Sequence, residues 1–99
     1  MAADADDVLR ETVAELAAGD GCTWAGIFFV EDGQLMLGPE AGVANERRRV
    51  RVPVRWRGDR VAELAVDGDV DPAQLATIAE EIAELCLVGW DTAGEPWEA

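Results

Sequence analysis

From Arg49 to Arg57 the chain alternates basic and apolar side chains, Arg-Val-Arg-Val-Pro-Val-Arg-Trp-Arg. A period of two is the mark of a strand with one buried and one wet face, so Val50, Val52, Val54 and Trp56 point one way and Arg49, Arg51, Arg55 and Arg57 the other. The run that follows carries Ala62, Leu64 and Val66 on one parity and Val61, Glu63 and Ala65 on the other, with Gly58-Asp59 marking a turn between the two. The two runs read as an antiparallel hairpin. A two-residue turn at Gly58-Asp59 sets Val54 opposite Glu63, whereas a loop of three or five residues sets it opposite Ala62 and sets Val52 opposite Leu64. Only the second arrangement joins the two apolar sets, which predicts an odd-length loop. A strand with a row of arginines on one face belongs toward a sheet edge.

The rest of the chain supplies what such a hairpin packs against. Asp4 to Gly19 has helical spacing, with Ala5, Leu9, Thr12 and Leu16 flanked by Val8 and Val13 on one side, acids at its start and Gly19 where the chain leaves. Cys22 to Val30 is aromatic and β-branched, and Glu31-Asp-Gly-Gln34 turns it into a second strand, Leu35 to Pro39. With a two-residue turn, both faces of the first strand are apolar, so it is expected in the middle of the sheet. Glu40 to Glu46 reads as a short loop without chemistry of its own. A second helix starts at Asp71 as N-cap with Pro72 at its first position, and its main stripe is Leu75, Ile78, Ala79, Ile82, Leu85 and Cys86. Ala76, Ala83, Leu87 and Trp90 widen that stripe beyond one contact.

The pattern predicts an α+β fold: a four-stranded antiparallel sheet between an N-terminal and a C-terminal helix. Residues 1–90 are expected to form a single domain, with residues 91–99 as an acidic tail holding Trp97. Trp97 is expected either to pack down on its own subunit or to anchor the tail over a bare sheet face, in cis or on a partner.

Charge and composition bound the function. A net charge of −13, with eight arginines, no lysine and no histidine, removes the phosphate neutralisation on which nucleic-acid binding depends. The absence of histidine and the isolation of Cys22 and Cys86 leave no ordinary metal site and no histidine-assisted nucleophile, so neither a cofactor nor an enzyme is expected. No apolar run approaches the roughly 20 residues that span a bilayer, and the start of the chain is acidic, so a cytoplasmic location off the membrane is expected.

Trp24-Ala-Gly-Ile-Phe-Phe-Val30, Leu37-Gly-Pro39, Val52-Pro-Val54 and Asp71-Pro-Ala-Gln-Leu-Ala-Thr-Ile-Ala79 follow one another over residues 20–88 in a succession that resembles a GAF domain. The similarity is greatest to the branch that includes the free methionine-R-sulfoxide reductases. The resemblance implies strand order 2-1-4-3 with both helices on one face. In that family a long segment between the second and third strands covers the other face and carries the catalytic cysteines, and here only Glu40 to Glu46 stands in its place. Cys22 and Cys86 match no catalytic position of the family. The expected function is therefore a non-catalytic interaction or dimerisation module of regulatory kind. The alternative is a small-molecule sensor completed by a second subunit or the tail, in which Arg51 and Arg55 meet an anionic ligand.

A homodimer is the expected assembly, with a further protein partner as an option. Two surfaces compete for the dimer: the helical stripe of Ala76, Ala83, Leu87 and Trp90, and a sheet face, with Ile27, Phe29, Met36 and Trp97 as its contacts. The face left bare is either the Ile27-Phe29-Met36 set or the Trp24-Phe28-Leu37 set.

Overall fold

The computed structural model describes residues 5–87. Its elements are α1 (Ala5–Ala17), β1 (Cys22–Glu31), β2 (Gln34–Gly42), a 3-10 turn (Glu46–Arg48), β3 (Arg49–Trp56), β4 (Asp59–Gly68) and α2 (Pro72–Leu87). The strands make one antiparallel sheet in the order β2-β1-β4-β3. α1 packs on β1 and β2, and α2 on β3 and β4, both on the same face of the sheet. The α+β architecture, the strand order and the one-sided helix pair are those expected from the sequence.

Local chemistry explains each element. The Asp71 carboxylate caps α2 by accepting the Ala73 backbone N–H at 3.0 Å, which satisfies one of the orphan donors of the first turn. Leu9 and Val13, one turn apart on α1, are both buried against the sheet. Asp32 and Gly33 take positive φ of 51° and 79°, the conformation of a two-residue hairpin turn, and Glu31 pairs with Gln34 across it.

The second hairpin reaches its register by a different route from the one expected. Val54 does face Ala62, and Val52 faces Leu64, so the apolar sets meet. The connection, however, is a two-residue turn at Arg57 and Gly58, with φ of 53° and 89° and Trp56 paired with Asp59. The odd residue sits in the strand: the register shifts between Val54 and Arg55, leaving Val61 as a bulge. A type I′ turn matches the strand twist better than a three-residue loop, and a one-residue bulge then restores the pairing of apolar side chains.

The helices cover the face that carries Ala25, Ile27, Phe29, Val54, Leu64 and Val66. This settles which set is bare, and it corrects three expected interface residues. Ile27, Phe29 and Ala83 lie in the protein's own core at 4% exposure or less, so no partner reaches them. The outward side of α2 carries exposed Glu80, Glu81 and Glu84. Ala76 is half-buried there. Met36 is exposed at the sheet edge, while Trp90, Trp97 and the tail lie outside the described residues.

Candidate functional site

The face opposite the helices divides into two halves. On β1 and β2 it carries Trp24, Phe28, Val30, Leu35 and Leu37, since Phe28 pairs with Leu37 and Val30 with Leu35. On β4 and β3 it carries Arg49, Arg51, Arg55, Arg60, Glu63 and Asp67, brought together by the pairings Arg49 to Asp67 and Arg55 to Arg60. One half is apolar and the other ionic.

Trp24 joins the halves. Its ring folds down over Gly26, where a Cβ would meet ring carbons at 2.5 Å. A side chain at position 26 would push the ring off the sheet. The indole Nε1–H donates to the Glu40 carboxylate at 2.9 Å, and the Arg49 guanidinium lies 4.2 Å from the ring centroid, a cation–π geometry. These contacts leave Trp24 only 2% exposed on a face that no helix covers.

Arg49 is held in turn by Asp67, which is fully buried. Arg49 Nε donates to Oδ1 at 2.6 Å and its NH2 group to Oδ2 at 2.9 Å, while the Asn45 backbone N–H donates to Oδ2 at 2.6 Å. Burial pushes the Asp67 carboxyl up, but the Arg49 hydrogen bonds, the Asn45 N–H and the charges of Arg49 and Arg51 outweigh it and hold the group below the usual carboxylate range. The Arg49 guanidinium is held above its ordinary value, chiefly by its hydrogen bond to Asp67. The pair thus stays ionised and ties the crossover between β2 and β3 to β4. Glu40 and Asn45 belong to this network, which corrects the reading of Glu40 to Glu46 as a segment without chemistry.

Arg51 lies 5.7 Å from the Phe28 ring centroid and donates to Glu63 at 2.8 Å, and Arg60 donates to the same carboxylate at 2.9 Å. Of the two arginines proposed to meet an anion, Arg51 is therefore already paired, whereas Arg55 is exposed with no ion pair to a described residue. Among the described residues no group of His, Cys, Asp or Glu stands in a metal-binding arrangement.

A separate cleft of about 270 Å³ lies where α1 ends and α2 begins, lined by Leu16, Cys22, Asp69, Asp71, Gln74 and Ile78. The half-buried Cys22 thiol donates to the Asp69 carbonyl at 3.4 Å. Cys86 is buried in the core, where desolvation pushes its thiol up to about 11.

No protein-family model matches the sequence, and no curated protein matches it. Among solved structures, the chain resembles the type II free methionine-R-sulfoxide reductase of Thermoplasma acidophilum, with a TM-score of 0.62 at 18% identity over 88% of this chain and 98% of that one. The fold is GAF-like. At that identity the likeness speaks to the backbone, and it agrees with the resemblance read from the strand motifs. It also overturns one expectation, since the structure matched is that of an enzyme. The absence of histidine and of matching cysteine positions therefore does not place this chain outside enzymes.

The Trp24, Glu40, Asn45, Arg49 and Asp67 network was missed as a site, although one signal for it was present. The register that sets Val52 opposite Leu64 also sets Arg49 opposite Asp67.

Proposed function

We propose that this GAF-like chain is an interaction module whose docking surface is the apolar half of its open sheet face, and that its first partner is a second copy of itself. The observation that carries the reading is the exposure of that half: Leu35 is 38% and Leu37 44% exposed beside half-buried Phe28 and Val30. Exposed apolar side chains grouped on one surface mark interaction sites more often than isolated ones do. Residues 43–48 connect β2 to β3, and both helices lie on the opposite face of the sheet.

Both edge strands contain a proline, Pro39 in β2 and Pro53 in β3, and proline blunts edge-to-edge pairing by removing a ladder donor. Association through the face fits that arrangement. Sedimentation equilibrium on the full chain tests it: a concentration-dependent dimer is expected, with at least a tenfold weaker association for Leu37→Glu. A wild-type monomer at high micromolar concentration refutes the self-association.

A second reading rests on Cys22. The structure matched is a free methionine-R-sulfoxide reductase, and Cys22 is a half-buried thiol at the edge of a cleft. If the chain shares that activity, free methionine-R-sulfoxide is turned over by the wild type and not by Cys22→Ser. Equal rates for both proteins remove the reading.

A further inference from the structure

Two rows of side chains run across the strands on the open face. In the first, Pro53, Glu63, Phe28 and Leu37 stand side by side, since Pro53 pairs with Glu63, Glu63 with Phe28 and Phe28 with Leu37. In the second, nearer the two hairpin turns, Arg55 pairs with Arg60 and Val30 with Leu35. Val61 and Ala62 both pack into the core, so Arg60 is the open-face position that follows Glu63, as Val30 follows Phe28. The second row therefore holds two guanidiniums and then two apolar side chains, on four strands spaced about 4.8 Å apart.

The charged end of that row is unbalanced. Like charges directly opposite each other on a sheet repel, and Arg55 stands opposite Arg60. Glu63 already accepts from Arg51 at 2.8 Å and from Arg60 at 2.9 Å, while Arg55 is exposed and has no ion pair with a described residue. Arg51, Arg55 and Arg60 thus share one carboxylate on a chain whose net charge is −13. An oxyanion set between Arg55 and Arg60 accepts from both, which relieves their repulsion through charge-assisted hydrogen bonds. From Arg60 on β4 to Leu35 on β2 is two strand spacings, about 10 Å. Over that span Val30 and Phe28 are half-buried, and Leu35 and Leu37 are the exposed apolar side chains already described. An apolar chain attached to the anion therefore meets a surface of its own kind, whereas an inorganic anion uses one end of the row and a neutral hydrocarbon the other.

We propose that the open face binds a small amphiphilic carboxylate, with its head on Arg55 and Arg60 and its apolar chain across Val30, Phe28, Leu35 and Leu37, and that this ligand competes with the second copy for the apolar half. The site itself stands on the two rows and their charge. The competition rests on the proposed self-docking, because both occupants need Leu35 and Leu37. Such a ligand couples the self-association of the chain to the supply of an anionic amphiphile, since whichever occupant is in excess takes the shared surface.

The test uses the full chain, ¹⁵N-labelled, titrated with decanoate below its micelle concentration. The backbone amides of Arg55, Arg60, Val30 and Leu35 are expected to shift together on one saturable curve, with 1-decanol and acetate each binding at least about tenfold more weakly. Arg55→Gln, at an exposed position with no ion pair to lose, is expected to weaken decanoate several-fold and to leave 1-decanol unchanged. Arg57→Gln serves as the control, because Arg57 lies over Trp56, whose ring packs against the helix-side core, and it is expected to leave the titration as it is. Equal affinity for decanoate and 1-decanol overturns the proposal, as does a titration that Arg55→Gln does not move or one whose shifts centre on the cleft between α1 and α2. Sedimentation equilibrium separates the site from the docking reading. Dissociation of the dimer by decanoate supports the competition, and a dimer indifferent to saturating decanoate overturns it. A wild-type monomer that binds decanoate refutes self-docking and the competition with it, and upholds the site.

Discussion

Replacing Asp67 with alanine removes the acceptor for three hydrogen bonds at once. Two come from Arg49 at 2.6 and 2.9 Å and one from the Asn45 backbone at 2.6 Å. The Arg49 side chain is only 8% exposed, so its charge is left poorly solvated and unpaired, a situation that costs about 3–5 kcal/mol. Asp67→Asn keeps the shape and one acceptor oxygen and is expected to lose somewhat less. Removing both charges, as in Arg49→Met with Asp67→Leu, is expected to cost less than Asp67→Ala alone, since no orphaned ion remains.

The pH dependence follows from the same geometry. The folded Asp67 carboxyl titrates below its unfolded value near 4, so its stabilisation is complete above that value. It is lost as pH falls through the folded value. Urea melts at pH 7 and at successively lower pH measure both effects. The gap between wild type and Asp67→Asn is expected to be constant near neutrality and to close in acid. A loss under about 1 kcal/mol for Asp67→Ala at pH 7, or a gap that widens in acid, refutes the account of Asp67 as a buried, ionised clamp.

Three further outcomes are expected. Leu64→Ala, at a fully buried position between Ile27 and Val52, loses about 2–5 kcal/mol in urea melts, while Glu63→Ala on the open face loses about 1 kcal/mol or less; equal losses contradict the observed register. Gly26→Ala, whose Cβ would meet the Trp24 ring at 2.5 Å, costs about 1–3 kcal/mol and shifts the Trp24 emission as the ring is displaced; an unchanged melt and spectrum show that the ring is free to move. With a thiol reagent at pH 8, Cys22 is modified in the native protein and Cys86 only on unfolding, because Cys86 is buried with its thiol pushed to about 11; native labelling of Cys86 shows that the core opens there.

Periodicity alone carried the reading of this chain a long way. The two-residue spacing of Val50, Val52, Val54 and Trp56, the Asp32-Gly33 turn and the Asp71-Pro72 cap specify two hairpins and a capped helix. Each is a local property of backbone conformation or of one residue's neighbours. The register of β3 on β4 was also legible, since only one pairing buries both apolar sets. How that register is achieved was not: the balance between a three-residue loop and a tight turn with a bulge at Val61 depends on the twist of the paired strands, which sequence spacing does not contain.

The open face belongs to tertiary structure for a stronger reason. β1 is apolar on both sides, so nothing in its own pattern says whether Ile27 and Phe29 or Trp24 and Phe28 meet the helices. That choice is made by α1 and α2 packing against one face across all four strands. Asp67 shows the same division from the other side: its partner Arg49 is implied by strand register, but the contacts that turn an ordinary pair into a clamp come from the Trp24 ring against Arg49 and the Asn45 N–H on the carboxylate. Those groups are distant in sequence and adjacent only once the sheet has formed.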